Sequence, residues 1–209
     1  HSLRRPVVKT VTSVRDLAMV NIEGNGMVGI PDVASRSLEA LAREDVEVMM
    51  ISQSSSEHNI CIVIKAGDAD RALQALRKEL ALELQRDLVE DVELSGNVAT
   101  ISIIGAGMRG TPGISGKFFE ALGKCRINVL AIAQGSSELN ISAAIREQDY
   151  RHAVQAVHSA FGLTRDVNIF LFGCGNIGRT LLRQIHENRR QLARTLQINL
   201  KVLGVANSR

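Results

Sequence analysis

The chain repeats itself. Residues 17–80 align with residues 98–161 at a constant offset of 81, without a gap, and 23 of the 64 aligned positions are identical. Gly24, Gly26, Met27, Gly29 and Pro31 recur as Gly105, Gly107, Met108, Gly110 and Pro112. Glu39-Ala40-Leu41 recurs as Glu120-Ala121-Leu122, and Gln53 as Gln134. Ser55-Ser56-Glu57 recurs as Ser136-Ser137-Glu138, and Asn59-Ile60 as Asn140-Ile141. Whatever one copy folds into, the other must also fold into, so the chain is read as a tandem of one small module.

Each copy carries the same signals. A short apolar strand (Leu17–Ile22; Val98–Ile104) leads into a glycine loop and a proline, Pro31 or Pro112, which suits the first turn of a helix. Leu38, Leu41 and Ala42 follow at helical spacing, as do Phe118, Ala121 and Leu122. A second strand (Val46–Ile51; Ile127–Ala133), a polar turn and a third strand (Ile60–Lys65; Ile141–Arg146) make an antiparallel hairpin. A second helix (Asp68–Leu80; Asp149–Phe161) closes the unit, with an aspartate placed to cap it. Val89–Leu94 can add a fourth strand to the first copy. The order βαββα predicts an α+β fold, two tandem ferredoxin-like sandwiches with helices on one sheet face.

Composition narrows the class. Of the 209 residues, 45% are hydrophobic and 22% charged, near the globular average, which excludes a mainly disordered chain. No apolar run is long enough for a membrane helix, and no basic-then-apolar leader opens the chain. His1 reads as a tag remnant or the start of a piece cut from a longer chain. A net charge of +3 is mild and dispersed. Aromatic residues make up 3% of the chain, too few for stacking platforms, so no nucleic-acid partner is expected. Three cysteines, an odd number without a CxxC pair, point to a reducing compartment and to no metal site.

The string GxGxxG occurs three times, at Gly24–Gly29, Gly105–Gly110 and Gly173–Gly178. In the first two, a short helix leads into a hairpin, which is not the parallel βαβ unit of a dinucleotide fold. Glycines there still let backbone approach a ligand, and the N–H groups before the helix can hold a carboxylate. Gln53 and Gln134 end the second strands and can both donate and accept hydrogen bonds. A free amino acid suits that combination. The competing reading is that the glutamines cap strand ends and the glycines only make turns. The candidate ligand set is Gly26, Met27, Gly29, Ile30, Gln53 and Asn59 in the first copy, and Gly107, Met108, Gly110, Thr111, Gln134 and Asn140 in the second. His58 reads as a solvated turn residue, and His152, His158 and His186 as helix-surface residues. Arg71, Arg77, Lys78 and Glu79 read as a solvated helix face.

The third glycine string has a different context. An apolar strand (Val167–Phe172), a long helix from Ile177 to about Leu196 and a second apolar strand (Ile198–Val205) spell the first βαβ of a Rossmann fold. Gly173, Gly175, Asn176, Ile177 and Gly178 are the candidate cofactor residues. No acidic residue ends the second strand, and Arg209 can face a 2′-phosphate, which favours NADP over NAD. The unit is truncated, so weak NADP binding or none is expected, with its apolar strands disordered, swapped or packed on the preceding sheet.

The segments at residues 14–36 (VRDLAMVNIEGNGMVGIPDVASR), 50–64 (MISQSSSEHNICIVI), 101–122 (ISIIGAGMRGTPGISGKFFEAL), 132–145 (IAQGSSELNISAAI), 170–185 (FLFGCGNIGRTLLRQI) and 203–209 (LGVANSR) make the chain recognisable. It resembles the regulatory region of the bifunctional aspartate kinase–homoserine dehydrogenases, with two ACT domains, small amino-acid-sensing modules. The resemblance implies a linker from the kinase at 1–16, ACT domains at 17–95 and 96–164, and the start of the dehydrogenase NADP-binding domain at 165–209. It implies allosteric feedback by L-threonine, with Gln53 and Gln134 matching the glutamines implicated in threonine binding. It further implies ATP and NADP as cofactors of the parent enzyme, with no catalytic residue in this piece. A homo-oligomer in a bacterial-type cytoplasm or a plastid is expected, with the edge strands Val46–Ile51 and Ile127–Ala133 as assembly surfaces. Two alternatives remain: a stand-alone amino-acid sensor, which the third glycine string disfavours, and an RNA-binding ferredoxin-like fold, which the aromatic-free third strands disfavour.

Overall fold

The computed structural model describes residues 7–24, 32–53, 59–163, 165–195 and 198–206. They form two compact units, divided between Val154 and Gln155.

In the first unit the strands are β1 (Thr10–Glu23), β2 (Val48–Gln53), β3 (Asn59–Lys65), β4 (Asp91–Ile104), β5 (Val129–Gln134) and β6 (Asn140–Arg146). The helices are α1 (Val33–Arg43), α2 (Ala69–Glu79), the short α3 (Ala81–Gln85) and α4 (Ile114–Lys124); α5 (Tyr150–Ala160) crosses the division. The strands make one sheet in the order β2-β3-β1-β4-β6-β5, with every pairing antiparallel.

The two copies are interlocked. β1 and β4 have 14 residues each, and each strand serves both copies. Leu17–Glu23 pairs with β3 on one side and with the first half of β4 on the other. Val98–Ile104 pairs with β6 on one side and with Thr10–Val14 on the other. Asp91–Ser95 is therefore the fourth strand of the first copy, close to the Val89–Leu94 expected. Thr10–Val14, read above as linker, is the fourth strand of the second copy. Leu17 pairs with Val98, its own equivalent at the repeat offset, so the local two-fold relation passes between them. Asp16 and Asn97 hinge the two halves of each strand, with φ of 56° and 55°. Two further pairs of equivalents share the left-handed backbone, Asp32 with Gly113 and Asp45 with Arg126. The repeat thus extends to backbone conformations that residue identity does not announce.

Strand alternation sends two sets of side chains to two cores. Ala18, Val20 and Ile22 of β1, with Ile60, Ile62 and Ile64 of β3, pack under α1 and α2 against Leu41, Ala72, Leu76 and Leu80. On the opposite face, Leu17, Met19, Met50, Cys61 and Val63 meet Val98, Ala131 and Ala144 of the second copy. β3 is apolar at every position from Ile60 to Ile64 because both of its faces are covered. Burial on that second face pushes the Cys61 thiol up to about 11, so it behaves as a small apolar side chain. The sheet curls until its outer strands approach: Ser52 Oγ on β2 donates to the Ile132 carbonyl on β5 at 2.7 Å. The strands expected to recruit another molecule therefore already meet each other, while Met49, Ile51 and Ile132 remain exposed.

Several local expectations shift. The buried stripe of α1 runs through Val33, Ser37, Ala40 and Leu41, while Leu38 and Ala42 face solvent. Ser37 tolerates burial because its hydroxyl donates to the Val33 carbonyl at 2.7 Å. Pro112 precedes α4 rather than opening it, and Gly113, at φ 84°, makes the entry. Asp68 makes no capping bond; it ends a one-turn 3₁₀ helix and its carboxylate pairs with Arg71. His158 on α5 is half-buried, its Nδ1 has no hydrogen-bond partner among the described residues, and burial holds its pKa below the usual value.

Glu79, expected on a solvated face, is instead the centre of an ionic clasp. Arg36 on α1 donates to Glu79 Oε1 at 3.0 Å, to Glu83 Oε1 at 2.5 Å and to the Glu79 carbonyl at 2.8 Å. Arg43 adds a contact to Glu79 at 2.5 Å. The clasp ties α1 to α2 and α3, and the second copy has Lys117 and Ala160 at the Arg36 and Glu79 positions. Arg36→Met leaves the buried Glu83 carboxylate without its guanidinium, and we expect a loss of about 2–3 kcal/mol. Hydrogen bonds from Arg36 hold the Glu79 and Glu83 carboxyls below their ordinary values. A depressed folded-state pKa contributes stability above the unfolded value and loses it as pH falls through the folded one. Urea melts should show wild-type stability falling below about pH 5, with that part of the slope reduced in Arg36→Met.

The second unit holds β7 (Arg165–Phe172), α6 (Asn176–Thr195) and β8 (Ile198–Ala206), with β7 and β8 parallel. This is the βαβ expected. Phe170, Phe172, Ile177, Leu203 and Val205 are exposed large apolar side chains on it.

Candidate functional site

The second glycine loop is fully described. It leaves β4 at Ile104, passes a 3₁₀ turn at Ala106–Met108 and reaches Gly113. Met108 is buried, 4% exposed, and anchors the loop to the core. The Met108 N–H donates to the Gly105 carbonyl at 3.1 Å, and the Thr111 N–H to the Met108 carbonyl at 3.0 Å. Thr111 Oγ1 donates to the Gly107 carbonyl at 2.7 Å. The Gly110 N–H donates to the Glu138 carboxylate at 2.7 Å. Of the candidate loop residues Gly107, Met108, Gly110 and Thr111, the last three thus have their N–H groups bonded within the chain. Gly110 lies at φ 65°, where a side chain is strained.

Two of the glycines have a reason that their spacing did not reveal. A Cβ at Gly105 would overlap the Val7 carbonyl and stand 2.9 Å from the Lys9 nitrogen, and one at Gly107 would stand 2.9 Å from Val7 Cα. The crossing segment is the lead-in to the second copy's fourth strand, with the Lys9 N–H donating to the Ile104 carbonyl at 2.8 Å. The first copy repeats this at Gly24, whose Cβ would overlap the Leu88 carbonyl and stand 2.7 Å from Val89 Cα. There the Glu90 N–H donates to the Glu23 carbonyl at 2.7 Å. The first glycine of each string admits a crossing strand, so neither reading in its pure form, ligand or turn, is sufficient. Gly26, Met27, Gly29 and Ile30 lie outside the described residues, as do His58 and Arg209.

Gln53 and Gln134 end β2 and β5 and are exposed. Gln134 pairs with Ile141, which pairs with Ile103 on its other side, and Asn140 pairs with Ile104. Gln134, Asn140 and the loop therefore share one end of the sheet, with β6 between the glutamine strand and the loop strand, a span of about 10 Å. The first copy has the same register through Gln53, Ile60 and Ile22. Because β1 and β4 are antiparallel, the two candidate sites lie at opposite ends of the sheet. The asparagines differ. Asn59 Nδ2 donates to Glu23 Oε1 at 3.0 Å, whereas the Asn140 side chain lies over Gly135, within 2.7 Å of where a Cβ there would be. An open cavity of about 690 Å³ sits elsewhere, at the strand crossover, between Asp16, Asn97 and Arg146.

In the second unit Gly173 lies at φ 98°, and its N–H donates to the Ala206 carbonyl at 2.7 Å. A Cβ at Gly178 would overlap the Gly173 carbonyl, so helix and strand meet here through glycine. Gly175 has open space, and Asn176 begins α6. These are the tight-turn, close-approach and packing roles that a dinucleotide-binding turn requires. Ile177 is 87% exposed, an apolar side chain at the helix entrance. Among the described residues no helix is long and apolar enough to cross a membrane.

Comparison with known proteins places these features. The ACT domain family matches residues 20–80 and again residues 101–161. The chloroplastic bifunctional aspartokinase/homoserine dehydrogenase 1 of Arabidopsis thaliana is 38% identical over 202 residues, 96% of this chain and 22% of that protein. The bifunctional aspartokinase/homoserine dehydrogenase of Haemophilus influenzae is 37% identical over 202 residues, 96% of this chain and 25% of that protein. This chain thus spans a quarter or less of the length of these relatives. The ligand-free regulatory subunit of aspartate kinase from Thermus thermophilus superimposes with a TM-score of 0.62 at 29% identity, over 74% of this chain and 99% of that one. Both halves of the internal repeat carry the match, and the interlocked sheet is its structural form, so the chain belongs to the ACT-domain family.

Proposed function

We propose that this chain is the regulatory region of a bifunctional aspartokinase–homoserine dehydrogenase and that it binds L-threonine as a feedback effector. The observation that carries the reading is the conjunction in one chain of two ACT repeats, each ending its second strand in glutamine, with a following βαβ whose glycines fill dinucleotide-turn roles. A free-standing sensor has no use for that βαβ. The ATP-dependent kinase and nicotinamide-dependent dehydrogenase activities belong to the parent enzyme, and no residue of this chain is assigned a catalytic role. The run Ala206-Asn207-Ser208-Arg209 at the end of β8, with a basic and no acidic residue, supports NADP over NAD as the parent dehydrogenase's hydride carrier. Exposed Met49, Ile51 and Ile132 on the outer strands support a homo-oligomer.

Within each repeat, the carboxylate of threonine binds at the glycine loop, and Gln53 or Gln134 bonds its ammonium or hydroxyl. Each such hydrogen bond involving a charged group contributes about 1.5–3 kcal/mol. Gln134→Ala should therefore weaken threonine about ten- to a hundredfold at the second site and leave the first unchanged. Calorimetry of the single variants against threonine, isoleucine and lysine checks this. Equal affinities in Gln134→Ala and wild type assign the glutamine to strand capping alone.

A further inference from the structure

The Gly110 N–H, a donor expected for the effector's carboxylate, already holds a carboxylate. Its partner Glu138 lies in the turn between β5 and β6, and the Oε2 distance is 2.7 Å. The turn is built to present that side chain. Glu138 has φ 57°, uncommon for a residue with a Cβ, and its own N–H donates to the Gly135 carbonyl at 2.9 Å. The next residue, Leu139, accepts the Gly105 N–H at 3.0 Å. Turn and loop are thus joined at two points, one a backbone bond and one through an exposed side-chain carboxylate. An amino acid's carboxylate would make the same bond to the same N–H.

We propose that Glu138 is the resident anion of the second glycine loop, and that an effector enters by exchanging its own carboxylate for that of Glu138. The inference rests on the reading of this loop as the carboxylate end of an effector site. Both carboxylates cannot accept the single Gly110 proton well at once, and two negative charges at hydrogen-bonding distance repel. The second site therefore binds more weakly than its bare donor set would allow, and the Glu138 bond is broken whenever it fills. Ser136-Ser137-Glu138 recurs as Ser55-Ser56-Glu57 in the first copy, where the residues lie outside those described.

The test uses the full 209-residue chain, labelled with ¹⁵N, as wild type, Glu138→Gln and Glu138→Ala. Both variants should bind threonine at the second site about three- to tenfold more tightly, read from the Gly110 and Gln134 resonances. The first site, read from Gln53, should not change. Without ligand, the Gly110 amide proton should move upfield in Glu138→Ala. Equal or weaker second-site binding in both variants overturns the proposal. Acetate, a bare carboxylate, separates this from failure of the effector reading. If threonine binds nowhere, acetate that shifts Gly110 in Glu138→Ala but not in wild type still supports the exchange. An acetate response that is the same in both overturns it.

Discussion

Gly105→Ala should destabilise this protein by about 3 kcal/mol, the upper end of overpacking costs, although it adds a single methyl group. The added carbon would overlap the Val7 carbonyl and stand 2.9 Å from both the Lys9 nitrogen and Val8 Cα. All three are backbone atoms of a segment held by the Lys9–Ile104 hydrogen bond, so no side-chain rotation relieves the clash. The fourth strand of the second copy must move away, and Val8, 2% exposed, moves with it. Gly24→Ala should cost a similar amount through Leu88 and Val89. Gly116 is the control: it lies inside α4 with nothing within 4 Å of a Cβ, so Gly116→Ala should stabilise by about 0.5–1 kcal/mol. Thermal melts of the three variants check the ordering. If Gly105→Ala melted with wild type and lost only ligand affinity, the loop glycines would serve a ligand alone.

Removing residues 1–16 should have the largest effect of all. It deletes Thr10–Val14, the strand that covers Val98–Ile104, together with the buried Val8. Losing the apolar burial that Val8 contributes costs about 1.5–3 kcal/mol, and each lost ladder bond about 0.5–1.5. The sum is on the order of 5 kcal/mol or more, comparable to the whole stability of a small domain. Hydrogen exchange should find the amides of Val98–Ile104 that point toward β1 unprotected in the shortened chain, while those that point toward β6 and the β1–β3 ladder stay protected. Uniform protection across both copies would mean that the first strand is an appendage and the interlock is not structural.

Much of this architecture is legible in the residues because the repeat repeats the reasoning. Gly-rich loops, apolar runs and the polar turn place three strands and two helices of the module twice, while the short α3 carries no signal that the repeat shares. The fourth strand of the second copy was hidden because Thr10–Val14 precedes the aligned block and is identified only by its partner, Ile104 through Thr100. The face of α1 was misplaced by one residue because a buried serine satisfied by its own helix looks polar, and Leu38 looks buried. The Arg36–Glu79–Glu83 clasp was unreadable because its members are 43 and 47 positions apart, and only the packing of α1 on α2 and α3 joins them. At the candidate sites motif position places Gln53 and Gln134 at the ends of their strands, where the structure has them. The strand that crosses each first glycine, and the carboxylate on Gly110, are tertiary facts without a local signature.

Each repeat is proposed to offer one amino-acid site between its glycine loop and its glutamine strand. Calorimetric titration of L-threonine into the whole chain tests it most directly, with the double variant Gln53→Ala/Gln134→Ala measured alongside. Wild type should show two sites per chain, and the double variant an affinity reduced about ten- to a hundredfold at both, with its fold intact by circular dichroism. Threonine binding unchanged in the double variant would contradict it.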